Sequence, residues 1–168
     1  KENKRMKFCP SCASPLETAF LDDRDRLLCS ARCGFVHWNN PTPVVAAIIE
    51  HEGKVLLARN VNWPAKFFAL VTGFLEAGET PEEGVLREVE EEIGIKGELI
   101  SFIGNYAFKE QNQLLICFHI KTEGEVVLNE ELADYKLQEK HEVRPWAMGT
   151  GPALRDWLIS EGVESPWI

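Results

Sequence analysis

"GFLEAGETPEEGVLREVEEEIGI", residues 73–95, decides how this chain is read: eight of its 23 residues are Glu, yet its apolar residues recur at helical spacing. Thr80-Pro81-Glu82-Glu83 is a helix start, in which Thr80 caps, Pro81 suits the first turn and Glu83 completes a reciprocal capping box. The pattern predicts a helix over 81–93, stopped by Gly94. At about 100° per residue, Val85, Leu86, Val89 and Ile93 form a core stripe, while Glu88, Glu91 and Glu92 share another side and converge. Like charges at i, i+3 and i+4 repel by a few tenths of a kcal/mol per exposed pair, unless a cation sits among them. Magnesium or manganese, hard divalent ions with oxygen ligands, are the natural counterparts. Taken alone, a run of Glu is most often a solvated face. Arg87 argues against that here, because it lies four residues from both Glu83 and Glu91 and can hold a carboxylate by a forked hydrogen bond. Gly73 and Gly78, with Glu76 and Glu79 in the same connection from strand to helix, describe a loop whose backbone can approach a metal or a phosphate.

Outward from this helix the patterns change to strands. Before it lie Val44–Glu50 and Lys54–Asn60, joined by His51-Glu52-Gly53 as a hairpin, and then Phe67–Thr72, a third strand ending at Gly73. After it come long strand-like runs at Glu98–Phe108 and Gln113–Lys121 and a weaker one near Tyr135–Glu139. The tail Gly151–Gly162 has apolar residues at helical spacing. Several strands with one central and one terminal helix predict a mixed sheet with helices packed on it, α/β or α+β. At 168 residues and 45% hydrophobic composition, the chain can build one well-packed domain and a small appendage.

The appendage is residues 1–40, a stretch with little strand or helix pattern and too few apolar residues to hold itself together. It carries Cys9, Cys12, Cys29 and Cys33 in the spacing C-x2-C-x16-C-x3-C, which fits a tetrahedral zinc site. The second pair is one residue wider than the usual knuckle. A redox role for Cys9-Pro-Ser-Cys12 lacks the strand-then-helix setting that lowers a thiol pKa, and His37 reads as structural. The fifth Cys, Cys117, sits in the apolar run LLICFHI and reads as a small core hydrophobe. Asn39-Asn40-Pro41-Thr42-Pro43 is a stiff connector to the larger domain.

The formal net charge of −9 argues against a general duplex-DNA binder, which needs a basic footprint. The longest apolar run, Val44–Ile49, is too short to cross a bilayer, and residues 1–10 lack the apolar stretch of a signal peptide, which together predict a cytoplasmic protein.

From Gly73 the sequence reads G-x5-E-x7-R-E-U-x-E-E-x-G-U, U being a bulky aliphatic, with Gly73, Glu79, Arg87, Glu88, Val89, Glu91, Glu92, Gly94 and Ile95 at the defined positions. This resembles a complete Nudix box, and the likeness extends over residues 43–168. The Cys unit resembles the zinc ribbon of the branch typified by NADH pyrophosphatases. The resemblance implies a Nudix-type α/β/α sandwich with a mixed sheet (residues 41–168) behind a zinc ribbon (1–40). It implies hydrolysis of the pyrophosphate bond of a nucleoside diphosphate linked to X, where X makes NADH or NAD, ADP-ribose or a nucleotide sugar. It assigns Mg2+ or Mn2+ to Glu88, Glu91 and Glu92 beside Gly73, with Glu91 as ligand or base and Arg87 and Glu79 as orienting residues. Glu131 is implied as a further metal ligand, Ala153 as a residue near the substrate, and a homodimer as the assembly. One departure comes after the box: where NADH pyrophosphatases carry a Ser-Gln-Pro-Trp array, this chain has Asn105-Tyr106-Ala107-Phe108-Lys109-Glu110-Gln111, so the resemblance by itself leaves the choice between NADH or NAD and the other substrates open. Phe108 or Tyr106 stacks on a base or belongs to the sheet. Two other functions compete: a nucleotide-sensing module that keeps the fold without cleaving, and processing of RNA 5′ ends, for which Lys1, Lys4, Arg5 and Lys7 are a sparse basic set.

Overall fold

The computed structural model describes residues 6–164; Lys1, Lys4, Arg5 and Trp167 lie outside the described residues. Contacts divide the chain into two units, Lys1–Asn40 and Pro41–Ile168. The first holds an antiparallel sheet of β1 (Leu16–Leu21), β2 (Arg24–Cys29) and β3 (Val36–His37) in that order. Asp22 and Asp23, with φ of 50° and 59°, make the two-residue turn between β1 and β2. The amino-acid pattern shows little strand character here because β1 buries none of its side chains fully, so the usual apolar alternation is absent.

In the second unit β4 (Thr42–His51) is the central strand. It pairs in parallel with β8 (Gln113–Thr122) on one edge. The other edge is divided: Val44–Ala47 pair with β6 (Val71–Phe74), and Ile49–His51 pair with β5 (Lys54–Asn60). β7 (Glu98–Phe108) and β9 (Leu132–Gln138) complete a mixed sheet of order β7-β8-β4-β5-β9, with β6 on β4. The third strand starts later than its sequence predicts. Phe67 closes a turn by donating its N–H to the Pro64 carbonyl, so regular pairing on β4 begins only at Val71 and runs on through Gly73.

The unbroken run VVAAII is explained by burial on both faces of the sheet. Val44, Ala46 and Ile48 face the cluster that includes Leu154, Trp157 and Leu158 of α2 (Gly151–Ser160), together with Cys117. Val45, Ala47 and Ile49 face Val85, Val89 and Ile93 of α1 (Pro81–Ile93). The second unit is therefore an α/β/α sandwich, and each fully buried aliphatic contributes about 1.5–3 kcal/mol by leaving water. Cys117 is wholly buried, and burial pushes its thiol up to about 12, as suits a core residue.

Both ends of α1 are locked. The Thr80 hydroxyl accepts from the Glu83 N–H at 3.3 Å, and the Glu83 carboxylate accepts from the Thr80 N–H at 2.8 Å, closing the capping box. Gly94 ends the helix at φ 72°, a left-handed cap that suits glycine, and returns its N–H to the Glu90 carbonyl at 3.0 Å.

Candidate active site

One cavity of about 580 Å³ opens where β6, α1, the turn before β9 and the segment before α2 meet. Gly73, Arg87, Glu88, Glu91, Glu92 and Glu131 all line it. The strand β6 ends beside α1, and a Cβ on Gly73 would overlap the Glu88 carboxyl. Glycine at that position lets the Glu88 side chain lie against the strand backbone.

Arg87 organises the acidic side chains. Its Nε donates to Glu79 Oε2 at 3.1 Å and its Nη2 to Glu79 Oε1 at 2.8 Å; its Nη1 reaches Glu88 at 2.7 Å and Glu91 at 3.0 Å. Nη2 also donates to the Phe74 carbonyl at 3.1 Å. The forked pair therefore closes on Glu79 and not on Glu83, whose carboxylate is committed to the helix cap. Hydrogen bonds from Arg87, and then from the Glu76 N–H, hold the Glu79 carboxyl below its ordinary value. The same carboxylates, Glu79 first and then Glu88, hold the guanidinium protonated.

Glu92 has the opposite environment. It is 8% exposed, and among the described residues its side chain has no hydrogen-bond or ion-pair partner. Burial, then the charges of Glu88, Glu131 and Glu91, push its carboxyl up to about 8. Glu88 is also raised, again first by burial, although Arg87 opposes the shift. Buried carboxylates short of compensating charge are the donor set that a hard divalent cation fits. The carboxylates share the cavity without closing into a tight group: among the described residues, Cys9, Cys12, Cys29 and Cys33 are the cluster whose ligand atoms lie within 4.8 Å of one another. Arg87 draws Glu88 and Glu91 toward itself.

Glu131 reaches the cavity through backbone anchors. Asn129 donates its N–H to the Glu92 carbonyl at 3.1 Å, while its side-chain oxygen accepts from Glu131 N–H at 3.0 Å and Leu132 N–H at 3.3 Å. The Glu131 carbonyl accepts from Val61 at 2.9 Å, tying this turn to the loop after β5. Phe108 lines the cavity as well, but Tyr106 does not: its hydroxyl donates to Asp156 at 2.8 Å and its ring packs on the core. Ala153 differs from its sequence-based placement. Its methyl is fully buried in the core beneath α2, and Gly149 and Thr150 line the cavity instead. The helix begins at Gly151, and its phase turns residue 153 toward the sheet.

Trp63, Phe67, Trp146 and Met148 also line the cavity, and their sequence context does not assign them to it. A signal is present: Trp63 precedes Pro64 and Trp146 follows Pro145, so both Trp sit in turn-forming segments where no strand or helix face claims them. Trp157, by contrast, is core, and Trp38 in the first unit lies under the Arg26 guanidinium at 4.6 Å.

The four thiols of the first unit are placed for one ion. Cys9 and Cys33 sulfurs lie 3.5 Å apart, and those of Cys12 and Cys29 3.3 Å. A Zn–S bond of about 2.3 Å sets tetrahedral sulfur–sulfur edges near 3.8 Å, so a small expansion of this group accommodates zinc. Arg32, at φ 53°, absorbs the extra residue between Cys29 and Cys33. His37 lies in β3 and is not part of the group.

Comparison with known proteins fits both units. Residues 40–157 match the family model described as NUDIX domain, and residues 7–39 match the one described as Nudix N-terminal. The NAD-capped RNA hydrolase NudC of Pseudomonas aeruginosa is 29% identical over 129 residues, covering 76% of this chain and 45% of that protein. The protein of that name from Pseudomonas entomophila is 27% identical over 158 residues, covering 93% and 55%. The chain thus spans about half the length of these curated relatives. A NUDIX hydrolase crystal structure from Nitrosomonas europaea superposes with a TM-score of 0.78 at 25% identity, covering 97% of this chain and 96% of that one. Among the described residues, no helix is long and apolar enough to cross a membrane.

Proposed function

The chain belongs to the NUDIX family, and from that membership we propose that it hydrolyses the pyrophosphate bond of a nucleoside diphosphate linked to a further group, with Mg2+ or Mn2+ at the cavity and structural zinc in the first unit. The observation that carries this reading is the buried, unpartnered carboxyl of Glu92 beside Glu88 and Glu131 in one cavity. Such a cluster destabilises the protein unless a cation joins it, and a module that only sensed nucleotides would have no use for it.

Glu88, Glu91, Glu92 and Glu131 supply oxygen ligands for divalent ions, and Gly73 leaves the room that the Glu88 carboxylate occupies. When bound, those ions neutralise charge on the diphosphate oxygens and lower the pKa of water. Glu91, the most exposed of the three helix carboxylates, is free on its solvent side to accept a proton from the attacking water or to serve as a ligand. Arg87 and Glu79 orient these groups from behind. An acidic protein thereby takes an acidic substrate.

The test is product analysis on a panel of NAD, NADH, ADP-ribose and nucleotide sugars with magnesium, comparing the parent with Glu88→Gln and Glu92→Gln. Mononucleotide products in the parent, lost in both variants, support the reading. No turnover of any diphosphate by the parent ends it. The similarity to NAD-capped RNA hydrolases favours one extension, removal of an NAD cap from RNA, and the same panel with a capped oligonucleotide tests it. Homodimer formation is part of the proposal: Phe8 and Phe20 of the first unit are 60% and 72% exposed, the kind of apolar surface that a second copy covers.

A further inference from the structure

The segment before β6 presents its side chains to two sides. Phe67, Ala69 and Leu70 line the cavity, where Phe67 joins Trp63 and Trp146 in an aromatic wall, whereas Phe68 does not line it. Phe68 packs instead against the cluster that holds Leu57 of β5 and the buried residues of α2. Two cations lie over its ring: the Arg59 guanidinium is 6.0 Å from the ring centroid and the Lys136 ammonium 5.0 Å. Their strands bring them together. Across β5 and β9, Leu57 pairs with Lys136 and Arg59 with Asp134, so Arg59 and Lys136 are diagonal neighbours on one face of the sheet, a spacing across which long side chains interact. Neither of them lines the cavity.

This pair has no counter-charge. The chain has 27 acidic residues against 18 basic ones, and Lys54, Arg87 and Lys140 each hold a carboxylate at 3.1 Å or less. Among the described residues the side chains of Arg59 and Lys136 form neither a hydrogen bond nor an ion pair, and their contact is the Phe68 ring. The carboxylate placed opposite Arg59 by register, that of Asp134, turns to its own backbone and accepts the Tyr135 N–H at 2.8 Å. Both cations are half-buried, and Arg59 Nε is sealed from water without an acceptor, which costs stability. The terminal nitrogens of Arg59 and the Lys136 ammonium are not among the sealed atoms, so they can be reached from solvent. The ring attracts each cation but leaves their mutual repulsion in place, and an anion between them would remove it.

A planar guanidinium fork beside a mobile ammonium matches a tetrahedral oxyanion with several acceptor oxygens. A nucleic-acid strand needs a row of cations along its backbone, whereas here two cations meet with Asp134 beside them on the same face. We infer that Arg59 and Lys136, over Phe68, form a binding site for a single phosphate group, inorganic or carried as a phosphomonoester, outside the cavity. The site is independent of the hydrolysis proposed above, whose groups are Glu88, Glu91, Glu92 and Glu131.

The test is a titration of the full chain with inorganic phosphate in the absence of magnesium, following the Arg59 Nε–H and Phe68 ring signals by NMR, with sodium chloride at equal ionic strength as the control. A saturable shift with phosphate and none with chloride is expected, with a Kd in the millimolar range or below. Arg59→Gln and Lys136→Gln each remove one charged donor and are expected to raise that Kd by roughly tenfold; Arg59→Lys, which keeps the charge but not the fork, recovers part of the loss. Adenosine monophosphate and an uncapped single-stranded oligonucleotide without a terminal phosphate separate the sources of the group: the monophosphate is expected to shift the same signals, and the oligonucleotide to leave them in place. Signals that stay still with phosphate, or that move equally with chloride, overturn the inference and leave the two cations as a cover for Phe68. A Kd unchanged in both Gln variants overturns it too, as does an oligonucleotide that moves these signals where inorganic phosphate does not, which would make the pair part of a strand track. If Arg59→Gln misfolds, Lys136→Gln and the titration of the parent still decide.

Discussion

Arg87 donates Nε and Nη2 to the two carboxylate oxygens of Glu79, at 3.1 and 2.8 Å, joining the middle of α1 to the residue just before its cap. That fork fixes the guanidinium plane, and the plane then sets where Nη1 meets Glu88 and Glu91. Glu79→Gln removes one acceptor and half of the fork. Groups that orient ligands from behind typically cost 10- to 100-fold when mutated. The expected result is a fall of that size in kcat at saturating magnesium, and a measurable loss of stability from the lost charge-assisted bond. Steady-state kinetics and chemical denaturation check it; a variant with parental kcat would remove Glu79 from the orienting role.

Gly73 makes a different kind of contribution, one of room. Because a Cβ there would overlap the Glu88 carboxyl, Gly73→Ala must push Glu88 off its position against β6. The backbone itself can accept alanine, since Gly73 is not among the residues at positive φ. Displacing a reacting group by about 1 Å can cost on the order of 10²-fold in rate. The variant is expected to keep its circular dichroism and its cooperative melt while losing activity on that scale. A Gly73→Ala protein that is fully active would show that Glu88 does not need that position.

Glu92 makes a distinct contribution to the pH dependence of metal-free stability. Its carboxyl, raised to about 8 in the folded protein against 4.5 for the free group, keeps its proton in the folded state through a range where the unfolded chain has released it. The folded state therefore binds more protons, and stability falls as pH rises. The contribution is present in full below about 4.5 and is lost as pH climbs through about 8. Magnesium reverses the effect by compensating the ionised carboxylate, so the gain in Tm on adding it should be larger at about pH 8.5 than at about pH 6. In Glu92→Gln both the slope in EDTA and the pH-dependent part of the magnesium gain should shrink. Identical melts for parent and variant across that range would refute the assignment.

These groups are legible in the sequence because a helix has one period. Given Thr80 as cap and Gly94 as stop, the spacing of Glu88, Glu91, Glu92 and Val85, Val89, Ile93 determines which side each takes. The run VVAAII likewise announces a strand covered on both faces. The aromatic wall is not legible, because Trp63 and Trp146 lie in irregular loops and meet through Phe67 only after the sheet has formed. The approximate G-T-x-A match locates the start of α2 near the cavity but not the helical phase, and that phase sends Ala153 into the core and leaves Thr150 at the surface of the cavity. The strands of the first unit escape detection for another reason: with few buried side chains, they depend on the cysteine cluster more than on an apolar pattern.

That dependence yields the last prediction. The first unit buries few large side chains among its described residues, chiefly Cys9, Leu27 and Cys29, far less apolar surface than a small domain needs to offset its conformational entropy. Structural zinc sites in small peptides supply apparent binding free energies of about 10–16 kcal/mol at neutral pH, which act as folding free energy. Cys12→Ser, or a strong zinc chelator, should therefore release one equivalent of zinc and remove hydrogen-exchange protection from β1 and β2. The amides of β4 and β8 should stay protected, because their core of Val45, Ile49, Phe118 and Ile120 is built without the cysteines. Protection lost together in both sheets would mean that the two units fold as one; protection kept in β1 and β2 without zinc would mean that the thiols are not what holds the first unit together.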